Sequence, residues 1–208
     1  MRLPRPNWFH PILILQILAL MLSAARTELL PSGFEQRYHE LRQTMASDDE
    51  KAEALLVEIK ADIEARGLSQ LRPVFLIEKA RLAYYRDEYT AGLGHLDEAE
   101  AGVVGDFRDL TSDIWLLRSH IYVYMKNFES AKGAAQKAID GFSNLADPEG
   151  SGEANFAMAN AYIRSQEFGK AIPYYNRSID ILQATDTSRV LAKAFLNRGI
   201  ANRHVFGP

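Results

Sequence analysis

A chemical pattern returns every 39 to 40 residues in this chain of 208, and that recurrence constrains the fold more than any single motif. Tyr122, Phe128, Ala131, Ala138 and Ile139 reappear forty positions later as Tyr162, Phe168, Ala171, Ser178 and Ile179. A period of this size marks stacked supersecondary units, each burying an apolar face against its neighbours and none stable alone. Counting in both directions gives five units, beginning near Gly33, Pro73, Ser112, Gly152 and Ala192. Within a unit, apolar residues fall at helical intervals, as in Trp115, Leu116, Tyr122 and Val123, and again in Phe128, Ala131, Ala135, Ala138 and Phe142. Each unit is therefore a pair of amphipathic helices, and the strict alternation of strands is missing. Ser47, Ser112 and Ser188 stand where helix caps are needed, and Asp48-Asp49-Glu50 reads as a first turn rather than a metal site. The run from Asp147 to Gly152 reads as a turn between units, and Gly92 and Gly94 as points of close helix approach.

Residues 1–25 read differently from the rest. Arg2 and Arg5 begin the chain, Ile12 to Leu22 form an apolar run broken by Gln16, and Ser23, Ala24 and Ala25 supply small residues for cleavage. A secretory signal is expected there, with an uncleaved N-terminal anchor as the alternative, followed by a linker over 26–32 and the repeat domain over 33–208. Either reading places the repeats in the periplasm or cell envelope. The formal charge is −3, and removing Arg2 and Arg5 with a leader takes it to −5, so nucleic acid is not an expected partner. A membrane is expected as a partner only through an uncleaved N-terminal segment. With no cysteine, disulfides, thiolate metal sites and cysteine nucleophiles are excluded.

The array resembles the tetratricopeptide repeat, in a long variant of about 40 residues per unit rather than the usual ~34. Trp115, Ser119, Tyr122, Phe128, Ala131 and Ala138 fill the family's places in the third unit, and Ala159, Tyr162, Phe168, Ala171, Tyr175 and Ser178 fill most of them in the fourth. The second unit matches at Ala80, Tyr89, Gly92 and Ala99; the first is recognised by periodicity alone, and the fifth has only its first helix. The resemblance implies an all-α fold, a right-handed superhelical solenoid of antiparallel helix pairs. Units are expected near 33–72, 73–111, 112–151, 152–191 and 192–208.

In this family the first helices of successive units line the concave face, which implies a groove stripe of Arg81, Tyr84, Tyr85, His120, Tyr124, Asn160, Arg164, Asn197, Arg203 and His204. Donors flanked by aromatic surface can hold a peptide's backbone and side chains together. The histidines show no metalloprotease spacing, and neither a nucleophile elbow nor a dinucleotide fingerprint occurs, so the expectation is a binding protein without enzyme activity, cofactor or metal. The leading functional expectation is an exported scaffold binding a peptide or protein segment in its groove, as the extracytoplasmic sensory module of a larger bacterial signalling protein. A structural scaffold for envelope assembly is the alternative. A small-molecule sensor walled by Tyr84, Tyr85 and Tyr124 is a third.

Overall fold

The period of the sequence reappears in the backbone as a set of identical helix endings. Gly67, Asp87, Lys126, Ala146 and Gln166 adopt left-handed conformations, with φ of 64°, 67°, 60°, 51° and 65°. In each case the next amide N–H reaches back five residues to a helical carbonyl: Leu68 to Ile63, Glu88 to Ala83, Asn127 to Tyr122, Asp147 to Phe142 and Glu167 to Tyr162, at 2.8–3.0 Å. This is the Schellman termination, which satisfies carbonyls a helix end would leave bare. Four of the five residues carry a β-carbon, so the turn is held against a local cost by the packing on either side.

The computed structural model describes residues 33–103, 110–185 and 188–207. The expected leader and linker lie outside the described residues. Among those described, the helices are α1 Phe34–Thr44, α2 Asp49–Ala65, α3 Arg72–Tyr85, α4 Tyr89–Gly102, α5 Leu110–Tyr124, α6 Phe128–Asn144, α7 Pro148–Arg164, α8 Phe168–Gln183 and α9 Ser188–Phe206. None of them is long and apolar enough to cross a membrane.

The chain divides into two compact units at Leu110 and Thr111. In the first, α1 packs on α2, α2 on α3 and α3 on α4. Its core is aliphatic and aromatic: Leu41, Ile59, Leu71, Ile77, Tyr84 and Leu96 are almost fully buried. In the second, α6 packs on α7, α7 on α8, and α9 on both α7 and α8. Leu116 brings α5 into the same core, against Ala135, Ala138 and Phe142 of α6 and Ala154, Ala157 and Met158 of α7. The alanines let helix axes come close, and Ala131 and Ala171, which recur at one repeat position, are completely buried.

Two expected boundaries move. Ser112 lies inside α5 and is buried, two residues past the helix start, so it does not cap it. The segment from Asp147 to Gly152 is not a turn but the first turn of α7: the Asp147 side chain accepts from the Gly150 N–H at 3.0 Å and Pro148 takes the first helical position. Gly150 and Gly152 serve close packing there, since a β-carbon on Gly150 would collide with the Phe142 ring and one on Gly152 would come within 2.6 Å of Leu182. At α2 the cap is Asp48 rather than Ser47: its side chain accepts from the Lys51 N–H at 3.0 Å.

Candidate functional site

The expected groove stripe is graded by burial. In the first unit, Arg81 and Tyr84 on the last turns of α3 are buried and Tyr85 is half-buried. Tyr84 meets Tyr85 edge to face, with ring centroids 5.5 Å apart. Arg81 is tied inward: its Nε donates to the Glu78 carboxylate at 3.2 Å, while Arg42 and Tyr38 of α1 donate to the same carboxylate at 2.6 and 2.8 Å. Burial acts to raise the Glu78 pKa, but the Arg42 and Arg81 guanidiniums and the Tyr38 hydroxyl outweigh it and hold the carboxyl below its ordinary range. Burial, with the Glu78 charge beside it, pushes the Tyr38 phenol well up.

In the second unit, His120 on α5 is buried and Tyr124 half-buried. Asn160 of α7 and Asn197 of α9 are brought together: the Asn197 amide donates to the Asn160 side-chain oxygen at 3.0 Å, and the buried Tyr175 hydroxyl donates to the same oxygen at 2.7 Å. Both bonds end on the oxygen, so the Asn160 amide nitrogen remains a donor. Arg164 and Arg203 are exposed at the ends of α7 and α9. His204 is exposed too, and stacks on Phe168 of α8 with centroids 4.0 Å apart and planes within 8°.

Two groupings fell outside the expected stripe. One is the Glu78 network, for which a signal existed: Glu78 is a lone charge in a register otherwise held by Tyr38, Leu117, Ala157 and Asn197. The other is a cluster on the second unit, where Lys132 of α6 pairs with Glu167 at 2.7 Å and lies 5.0 Å over the Tyr162 ring, and Tyr162 stacks on Tyr174 of α8. Hydrogen bonds from Lys132, Lys170 and Ser165 lower the Glu167 pKa to about 2. Among the described residues, no group of three or more histidine and acidic side chains is placed to hold a metal ion.

Comparison with known proteins agrees with this geometry. The tetratricopeptide repeat family model matches residues 112–140 and 152–181, which are the bulk of the α5–α6 and α7–α8 hairpins. Among solved structures, a Rap protein complexed with competence and sporulation factor aligns with a TM-score of 0.65 at 14% identity, over 83% of this chain and 48% of that one. RapI in its apo form aligns at 0.61 and 19% identity, over 92% of this chain and 55% of that one. No curated protein matches the sequence. The chain thus spans about half the length of these two structures, and likeness at such identity is a likeness of fold.

Proposed function

Taking the α5–α6 and α7–α8 hairpins as tetratricopeptide repeats, we propose that this protein is an exported scaffold that holds a peptide or protein segment on the first-helix face of its repeats. The observation that carries the reading is the pair of asparagines on the first helices of consecutive repeats, 3.0 Å apart and half-buried, with exposed Arg164 about one turn beyond Asn160 and exposed Arg203 nearly two turns beyond Asn197. Amide groups in such a place can bond a peptide backbone, and flanking arginines add charge-assisted bonds to acidic side chains or a terminal carboxylate. His120, Tyr124 and His204 belong to the same candidate surface in the second unit; Arg81, Tyr84 and Tyr85 stand at the same register in the first. That one solved neighbour is complexed with competence and sporulation factor supports a binding role for the architecture. Export, and service as the sensory input of a larger signalling protein, complete the proposal.

The test is a peptide-library selection on the intact protein, followed by Arg164→Glu with Arg203→Glu. Binding of the selected peptide should fall at least tenfold while the melting temperature stays put; undiminished binding would remove this face from the reading. Arg81 is unsuited to such a test, because a carboxylate there would confront buried Glu78.

Assembly into an envelope complex is supported by a separate observation. On α9, Leu196 is 65% and Phe206 76% exposed, whereas Phe156 and Leu116, at the register of Leu196, are buried. Leu196→Ser with Phe206→Ser should abolish recovery of a complex and spare peptide binding if that second reading holds.

A further inference from the structure

In the second unit, Tyr162 of α7 lies stacked on Tyr174 of α8, with centroids 5.5 Å apart and planes at 22°. Lys132 lies 5.0 Å over the Tyr162 ring and pairs with Glu167 at 2.7 Å. The period of the chain carries these four positions back to Ala83, His95, Glu53 and Glu88 of the first unit. All four line a single cleft of about 370 Å³ there, with Leu56 and Leu82 as its buried apolar walls. The cleft is thus the place of a tyrosine side chain whose ring the first unit does not supply. Its size is that of a small-ligand pocket.

Charge around the cleft is uneven. Arg86 is engaged by Glu53 at 2.6 Å and by Asp49 at 3.2 Å, and Lys60 by Glu64 at 3.6 Å. Lys79 of α3 is half-buried in the lining and forms no ion pair among the described residues. Helical side chains lean toward the helix N-terminus, so a ring in the place of a residue-83 tyrosine extends toward residue 79. His95, across from it on α4, is held below its ordinary pKa by burial and by the Lys79 charge, with Glu98 and Glu88 opposing. A neutral imidazole is a flat stacking surface at pH 7.

We propose that this cleft binds a small planar aromatic monocarboxylic acid of the benzoate class, its ring stacked on His95 as Tyr162 stacks on Tyr174, and its carboxylate on Lys79. Glu88 at the rim disfavours a second carboxylate. The site is distinct from the proposed peptide face, and its test does not depend on that reading.

The experiment is a titration of the intact protein with 4-hydroxybenzoate, followed through the His95 imidazole resonances by NMR, with p-cresol as the uncharged companion. A ligand of about ten non-hydrogen atoms should give a Kd of about 1 mM or tighter. Ala83→Tyr should place the chain's own ring in the cleft, abolish the titration and raise the melting temperature. Lys79→Met should weaken the acid at least tenfold while leaving p-cresol unchanged. The proposal fails if His95 shows no saturable shift in the parent protein, or if Ala83→Tyr still binds. It fails equally if Lys79→Met treats the two probes alike, a comparison that decides the matter even should Ala83→Tyr not fold.

Discussion

Glu78 and Asn197 occupy the same place in the repeat, three periods apart, and each bridges the first helices of consecutive hairpins by a different chemistry. In the first unit the bridge is ionised and buried: one carboxylate takes bonds from Arg42, Tyr38 and Arg81. In the second it is neutral: Asn197 donates to Asn160, which also accepts from Tyr175. The architecture accepts both, because either arrangement satisfies the polar groups it buries. They differ in what happens when a partner is lost. An orphaned amide costs one hydrogen bond and its desolvation, whereas a lost carboxylate leaves two guanidiniums facing each other out of water.

The largest expected effect tests that asymmetry. Glu78→Gln should destabilise the first unit by about 3–5 kcal/mol, seen as loss of hydrogen-exchange protection in α1 and α3 while α7 to α9 keep theirs. Equal loss in both units would remove the contrast.

Acid should separate the two bridges in the same way. Glu78 has a folded-state pKa below its ordinary 4.5, so its contribution is complete above that value and is lost as pH falls through the folded one. Below about pH 4.5 the protection of α1 and α3, taken relative to the intrinsic exchange rate at each pH, should therefore fall first. The asparagine bridge does not titrate. Glu167, with its pKa near 2, gives the second unit an acid response as well, but through half-buried Lys132 and exposed Lys170, so added salt should weaken that response more than that of the fully buried bridge in the first unit. Trp115, packed in the second unit's core, reports that unit by fluorescence.

Next in size is a change in the alanine packing. Ala171→Leu should cost ~1–3 kcal/mol by overpacking a completely buried crossing, and an unaltered melting curve would show that the crossing has slack. Asn197→Ala should cost about 1 kcal/mol, several-fold less than Glu78→Gln, by chemical denaturation followed at Trp115. A cost equal to that of Glu78→Gln would erase the distinction between ionised and neutral bridges. Smallest, and of opposite sign, Lys126→Gly should stabilise the second unit by roughly 0.5–1 kcal/mol, since Lys126 holds φ at 60° in its Schellman turn. Destabilisation would mean that the Lys126 side chain contributes more than the strain it imposes.

Much of the fold was legible in residue order. The spacing of Tyr122 and Tyr162, Phe128 and Phe168, and Ala131 and Ala171 marks hairpins that do form, and the tetratricopeptide match falls on these same units. The error at Asp147 to Gly152 has a specific cause. Glycines in a polar run imply a turn when read locally, and here they are small because Phe142 and Leu182 press against the helix that contains them. The candidate site was legible only as a register. Asn160 and Asn197 meet, but Arg81 at the register of Asn160 turns inward to Glu78, three residues earlier on the same helix, and the partners that seal the pair, Arg42 and Tyr38, come from another helix.

By itself, the amino-acid sequence determined where helices run and how they pair, because apolar periodicity is a local property repeated at a fixed spacing. Only the tertiary structure decided which polar residues of a column are sealed and where the packing leaves room. Those outcomes depend on the sizes and charges of side chains supplied by helices about forty residues away. Arg81 is buried because α1 offers Arg42 and Tyr38 to its partner Glu78, and a cleft lies beside His95 because α3 presents Ala83 where α7 presents Tyr162.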